Sequence, residues 1–446
     1  MEINRALNGQ SAPRICVIGA GPSGIAAIKN LQEQGLTSIT AFEKNNQIGG
    51  NWVYDVNNTH SSVYETTHII SSKRWSQFED FPMPAEYSDY PSHMQLLQYF
   101  KNYAQHFNLE QYIRFNTTVV NVTRTDENKW HVLYEDAQGT HEAFYDYLLI
   151  ANGHHWDPVL PQYPGEFSGE VLHSHQYKKA AVFKDKKVLV VGGGNSACDV
   201  AVEISRVTQQ TCISMRRGYH IFPKFIFGKP TDVAVAKIQW MPSWFRQKFI
   251  SLVIRGLQGR YGKYKLMKPD CGPLEIHPTI NSELLYFIRH GKIVPKAGIS
   301  HFDGTKVHFS DGSQDDFDTV IFATGYKISF PFFDKESLDF SNSTKIPLYR
   351  KMMHPDFDTL YFIGLCQPQG CIWPLADYQS KIVARIIAGS LKRPEQLHKK
   401  IAREINKPHY RFKSNRRHAL EVDYHIFRRE LLKMLGQKRF GLKVTS

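Results

Sequence analysis

Apolar residues along this chain follow two rhythms. Near the N-terminus an unbroken run, Ile15-Cys16-Val17-Ile18, leads through a glycine turn into IAAIKNLQEQG, where apolar positions recur at helical spacing. A second run, SITAF, follows and ends at Glu43. The same succession returns further on: KVLVV at Lys187–Val191, a glycine turn, CDVAVEISRV at helical spacing, then TCISM. Each unit is followed by a stretch that alternates apolar and polar residues around turn signals, KWHVLYEDAQGTHEAFYDYLLIANG and KVHFSDGSQDDFDTVIFATG. Both stretches close on a matching strand and glycine, Asp146 to Gly153 and Asp318 to Gly325. The pattern predicts a strand–helix–strand unit present twice, each copy extended by a β-meander.

The turns carry chemistry. In Gly19-x-Gly21-x-x-Gly24 the first glycine permits a tight turn, the second lets backbone approach a pyrophosphate, and the third lets helix pack on strand. The helix behind them, starting near Ser23, offers unpaired N–H groups to phosphate oxygens. Glu43 stands where an acid would grip a ribose hydroxyl. The second copy, Gly192-x-Gly194-x-x-Ala197 with Asn195 and Ser196 between, ends its next strand in Arg216-Arg217. An acid there would repel a 2′-phosphate, whereas guanidinium groups pair with it. The first unit is therefore read as an FAD site and the second as an NADPH site. The expected fold class is α/β: two Rossmann-like dinucleotide-binding domains, the NADP domain inserted into the FAD domain, with meander strands and a helical insertion. Expected boundaries are 1–165, 166–325 and 326–446, with the insertion at about 218–296.

Composition adds limits. Hydrophobic residues make up 42% and charged residues 22%, as in ordinary globular proteins. There is no uninterrupted apolar run of about 18 residues, and the N-terminus lacks the layout of a signal peptide. Six sparse cysteines fit a reducing, cytoplasmic setting. The net charge of +13 is spread along the chain with no nucleic-acid module, so anionic cofactors or an anionic membrane surface account for it better than nucleic acid.

The sequence resembles the flavin-containing monooxygenases along nearly its whole length. Phe167-SGEVL-His173-SHQ-Tyr177 fits that family's Phe-x-Gly-x-x-x-His-x-x-x-Tyr pattern, where related Baeyer–Villiger enzymes usually carry Trp for Tyr177. Gly49-Gly50-Asn51-Trp52, the turn from Phe322 through Thr324 and Gly325 to Tyr326, and Arg417-His418-ALEV-Asp423-Tyr424 are similar to other family segments, and Gln379 is counted with the cofactor-binding positions. The insertion resembles that of the animal enzymes. The resemblance implies hydride transfer from NADPH to FAD, addition of molecular oxygen as a C4a-hydroperoxide, and oxygenation of an amine or sulfide. It implies a structural, domain-linking role for His173. Where the family has Asn-Ser-Ser-Lys, this chain reads Ile70-Ser71-Ser72-Lys73. Isoleucine donates no hydrogen bond, so Ser71, Ser72 or the bound nicotinamide substitutes, or the enzyme leaks hydrogen peroxide.

Several alternatives stand beside this reading. Ketone oxygenation of Baeyer–Villiger type and uncoupled NADPH oxidation use the same cofactors. Cys366-QPQG-Cys371 has the spacing of disulfide reductases but sits after a late strand, not after the first unit. A flavin-dependent regulator would not need both fingerprints intact. His154-His155 and His173-x-His175 lack the further ligands of a metal site, so no metal is expected. Residues 244–264, with Phe245, Phe249, Leu252 and Leu257 at rough helical spacing among cations, admit either a peripheral membrane contact or a lid over the substrate channel. A homodimer is left open.

Overall fold

The computed structural model describes residues 12–57, 60–334, 336, 338–341, 343–408 and 419–437; Arg417 and His418 fall outside them. Chain order begins β1 (Ile15–Ile18), α1 (Pro22–Glu33) and β2 (Ile39–Phe42). The short α2 (Lys73–Ser76) and α3 (His93–His106) lead to β3 (Ile113–Arg114). A meander of β4 (Thr118–Arg124), β5 (Trp130–Asp136) and β6 (Gly139–Tyr145) precedes β7 (Tyr147–Ile150). The second unit comprises β8 (Glu170–His173), β9 (Lys187–Val191), α4 (Asn195–Ile204) and β10 (Gln210–Ser214).

The insertion contributes two-residue strands β11 (Ile221–Phe222), β12 (Phe225–Ile226), β13 (Lys229–Pro230) and β14 (Thr279–Ile280), with helices α5 (Thr231–Ala236) and α6 (Ser243–Gln258). After it come α7 (Leu284–Arg289), β15 (Ile293–Lys296), the meander β16 (Ile299–Asp303), β17 (Lys306–Phe309) and β18 (Gln314–Asp316), then β19 (Thr319–Phe322). The chain ends with β20 (Leu360–Phe362), β21 (Gln367–Pro368), α8 (Trp373–Ile387), α9 (Leu397–Asn406), β22 (Glu421–Val422) and α10 (Tyr424–Met434).

Two parallel five-stranded sheets result, and they match position for position. The first runs β20-β7-β1-β2-β3 and the second β8-β19-β9-β10-β15. In each sheet the fingerprint strand is central, its neighbours are the next strand of the unit and the strand after the meander, and every pairing is parallel. The outermost strands are exchanged. The chain leaves β7 and supplies β8 to the second sheet, then leaves β19 and supplies β20 to the first. The second sheet lies wholly inside the sequence span of the first, which is the nested arrangement expected.

Unbroken apolar strands are what a parallel sheet covered on both faces requires. In β1, Ile15 and Val17 face the core shared with α1 and α8, while Cys16 and Ile18 face the first meander. In β9, Val188 and Val190 face α4, and Leu189 and Val191 face the second meander. The glycine turns sit at the C-terminal strand ends and leave no room. A Cβ on Gly19 (φ +102°) would lie 2.7 Å from the Ala151 carbonyl oxygen, and one on Gly24 would lie 1.9 Å from that of Gly19. These residues are bare so that strand, helix and β7 can meet.

Helix α6 departs from one expectation. It packs through Ile250 and Ile254 against Phe222 and Ile280. Phe245, Phe249, Leu252 and Leu257 point outward, Leu252 with 69% of its surface exposed. They are not the face by which a lid would close. Helical spacing alone marks a stripe; it does not say what the stripe faces.

Candidate active site

Three cavities lie in series. The first, about 310 Å³, opens at the C-terminal ends of β1 and β2 and is lined by Gly19, Gly21, Ser23, Glu43, Gly50, Asn51 and Trp52. Glu43 is buried, with Oε2 accepting from Ala20 N at 2.8 Å and Oε1 from Asn45 N at 2.9 Å. Burial raises its carboxyl above the ordinary range and these N–H donors oppose the rise. Gly21 and Gly50 face one another across bare backbone: a Cβ on Gly50 would lie 3.0 Å from the Gly21 Cα. Helix α1 begins there with no side-chain cap and no acid in its first turn. Unpaired N–H groups, a glycine cradle and a terminal acid suit the pyrophosphate and ribose of FAD.

The second cavity, about 340 Å³, lies between the two units and shares Asn51, Trp52, His154, His155, Ile372 and Trp373 with the first. Gly194, Asn195, Ser196 and Gly325 line it from the second unit, and Ile70 and Ser71 from the first. Helix α4 starts at this cavity uncapped and without an acid in its first turn. Arg216 is exposed just beyond β10; Arg217 is half-buried, lies over the Tyr219 ring, and its Nε finds no acceptor. Those donors at the end of the second strand fit the phosphates of NADPH.

The structure divides the remaining expected residues. Gly24, Gly192 and Ala197 line neither cavity and serve turn and helix packing. Gln379 is fully buried, its Oε1 accepting from Gly364 N at 2.9 Å and its Nε2 donating to the Arg350 carbonyl at 3.0 Å. It fixes a turn and does not reach a cofactor. Thr324 donates its hydroxyl to the Val159 carbonyl at 2.5 Å and also stands off the cavity wall. Ser72, expected as a substitute donor, is buried behind the wall at the start of α2. Ser71 does line the cavity, its Oγ 2.9 Å from that of Ser76.

His173 ends β8, opposite Phe322, with its ring edge-on to Tyr326 at 5.2 Å between centroids. Its Nδ1 accepts from His175 N at 3.1 Å, and burial beside His175 pushes it down to about 4. A neutral ring locked between exchanged strand and glycine turn is a structural link, and it lines neither cavity.

Several wall residues escaped sequence reasoning. The strap 277–281 of the insertion is fastened to the second fingerprint. Thr279 donates to the Gly193 carbonyl at 2.8 Å, Asn195 Oδ1 accepts from Ile280 N at 2.7 Å, and Asn281 donates to Asp199 Oδ1 at 2.6 Å. Asp199 Oδ2 accepts from the Tyr64 hydroxyl at 3.4 Å, tying in the loop that leads to Ile70. His277 pairs with Glu421 at 3.3 Å. The side chain of Asn195, expected on the cofactor, is thus spent largely on the strap.

Such a fold and site define a two-dinucleotide α/β oxidoreductase. The chain belongs to the flavin-binding monooxygenase-like family, whose model matches residues 12–443. It is 35% identical over 451 residues to flavin-containing monooxygenase 5 of Rattus norvegicus, covering 95% of this chain and 83% of that protein. It is 32% identical over 460 residues to dimethylaniline monooxygenase (N-oxide-forming) 2 of Rattus norvegicus, with the same coverage. The S-allyl-L-cysteine S-oxygenase of Allium sativum shares the fold, with a TM-score of 0.71, 20% identity, and coverage of 96% of this chain and 90% of that one. So does NADP+-bound cyclohexanone monooxygenase from Rhodococcus sp. Phi1, with a TM-score of 0.71, 16% identity, and coverage of 96% and 98%. The protein is an FAD- and NADPH-dependent flavoprotein monooxygenase.

Cys366 and Cys371 are buried and not joined in a disulfide. Burial raises the Cys366 thiol to about 12 and that of Cys371 further, so neither supplies the thiolate that disulfide exchange needs. Cys366→Ser and Cys371→Ser should leave flavin reduction by NADPH nearly unchanged in stopped-flow absorbance. A collapse of the rate in either variant would restore the redox-pair reading.

Proposed function

We propose that this enzyme transfers one oxygen atom from O2 to the nitrogen or sulfur of a small organic nucleophile. The observation that carries the reading is the shared wall, Asn51, Trp52, His154, His155, Ile372 and Trp373, which makes the two dinucleotide cavities neighbours. When bound, the cofactors supply the redox chemistry, a hydride passing from NADPH to the flavin and electrons onward to dioxygen. The residues bind, orient and keep water out. Gly19, Gly21, Ser23 and Glu43 hold FAD, and Gly194, Ser196, Arg216 and Arg217 hold NADPH. Trp52, Trp373 and Ile372 provide an apolar wall that limits water at the reacting centre. Oxygen uptake with NADPH and product analysis across amines, sulfides and ketones tests the reading. Turnover of ketones alone would replace it with Baeyer–Villiger chemistry.

We also propose peripheral contact with anionic membranes through α6. Trp240 and Trp244 are 79% and 63% exposed, beside Phe245, Phe249 and Leu252. From Val233 to Pro269 the chain has no acidic residue, while Lys248, Arg255, Arg260 and Lys263 are exposed. Apolar side chains rimmed by cations suit the headgroup region. No helix among the described residues is long and apolar enough to cross a membrane.

Three outcomes follow. Replacing Arg216 and Arg217 by alanine should cost about 1.5–3 kcal/mol per lost phosphate contact, raising the NADPH Michaelis constant roughly ten- to a hundredfold with little change for NADH. An unchanged NADPH preference would remove both arginines from the site. Ile70 lines the cleft without a hydrogen-bond donor, so NADPH oxidation without substrate should release hydrogen peroxide. Ile70→Asn should slow that release about two- to tenfold, the worth of one hydrogen bond; no change, or faster release, would make the position mere packing. Holoenzyme should co-sediment with phosphatidylserine vesicles and less with phosphatidylcholine, and Trp244→Glu with Leu252→Glu should abolish this. Binding that survives both substitutions would move the contact elsewhere.

A further inference from the structure

The third cavity is small, about 70 Å³, and shares Ile70, Ser71, His277 and Gly370 with the main cleft. Phe222, Val235 and Ile280 give it an apolar side from the insertion, and two carboxylates, Asp232 and Asp423, face it. No lysine or arginine lines it. Arg246, buried in α6, turns its Nη1 to Gln239 Oε1 at 2.8 Å. His277 is paired with Glu421, and burial pushes His425 down to about 4, leaving it neutral.

Asp423 Oδ1 caps α10 by accepting from Ile426 N at 2.9 Å. Asp232 sits at the start of α5, with Oδ2 accepting from Ser72 N at 2.6 Å and Oδ1 from Val233 N at 2.8 Å. These partners are neutral N–H dipoles, and each carboxylate oxygen keeps a further lone pair. A largely buried acid with no cation beside it is costly, and a cation in the cavity would offset that cost.

We infer that this cavity receives the reacting head of the organic substrate, and that it selects a small alkylammonium group with Asp232 as its counter-ion. The inference rests on the monooxygenase reading and adds the substrate class. The volume is about two waters' share of liquid, at ~30 Å³ each, so it holds a head group while a longer tail lies in the main cleft. The ammonium gives its proton to the Asp232 carboxylate, which frees the nitrogen lone pair to take the oxygen atom. Overall, R3NH+ + O2 + NADPH gives R3NO + NADP+ + H2O. The hydride and the ammonium proton become the two hydrogens of water; amine and NADPH each lose two electrons, and O2 gains four.

A matched pair tests this on the holoenzyme: N,N-dimethylbutylamine, a cation at neutral pH, against butyl methyl sulfide, which is neutral. The wild type should favour the amine in kcat/KM. Asp232→Asn should lower the amine-to-sulfide ratio about tenfold or more, the scale of one charge-assisted contact. Tetramethylammonium, which has no lone pair, should perturb the flavin absorbance of the oxidised NADP+-bound enzyme and compete with the amine, and Asp232→Asn should remove both effects. Val235→Lys, which places a cation in the wall without touching the Asp232–Ser72 tether, should lower the same ratio and covers the case in which Asp232→Asn does not fold. Equal loss of both substrates in Asp232→Asn, or an unchanged ratio in both variants, would overturn the subsite alone. A wild type that oxygenates neither compound would overturn the monooxygenase reading and this inference with it.

Discussion

Each parallel sheet is completed by a strand that the chain supplies only after leaving the other sheet: β8 follows β7, and β20 follows β19. Neither sheet is finished until the chain has crossed twice between them, so the two dinucleotide units are tied together by their own hydrogen-bond ladders. That constraint fixes the rest. Ligands in open α/β sheets bind beyond the carboxyl ends of the strands, and the crossings bring those ends to a common wall. His173 sits on the exchanged strand for this reason, a neutral buried ring between β8 and the Gly325 turn. A charged histidine there would have to be desolvated each time the protein folds.

The walls are held by polar side chains that have little else in common. Asp199 joins the insertion to the loop before Ile70 through Asn281 and Tyr64, Asp232 joins the insertion to Ser72, and Glu421 joins the C-terminal segment to His277. Buried carboxylates are costly unless their oxygens are filled, so each acid demands partners from whatever segment passes. Burial raises the carboxyls of Asp199 and Asp232, which marks where desolvation outweighs those partners. The same groups that close the cavities therefore give them their polarity.

Most of the fold was legible because its signals are local. Strand, glycine turn, helix and terminal acid or arginine lie within some thirty residues of one another, and the two meanders announce themselves by alternation. The walls were not. Glu421 and His277 are 144 residues apart, and Asn281 and Asp199 are 82 apart; no periodicity links them. Gln379 fell to the cofactor list because resemblance gives position without direction, and its amide proved to be spent on Gly364 and Arg350. The α6 stripe has the same spacing whether it faces a core or solvent, and only packing decided between them. Ile70 was located by resemblance, and the structure adds that it stands in the wall common to two cavities.

The strap 277–281 has a consequence for how the two substrates meet. Its hydrogen bonds to Gly193, Asn195 and Asp199 fasten it to the helix whose N-terminus takes the nucleotide phosphates, while His277 and Ile280 form part of the small cavity beyond Ile70. A nucleotide that orders the start of α4 lowers the freedom of the strap, and thus of that wall. Any ligand of the cavity then finds part of its ordering cost already met, and linkage requires that it strengthen nucleotide binding by the same factor. Sequence places the fingerprint and the insertion side by side without showing this; the bonds between them make the insertion an extension of the nucleotide site.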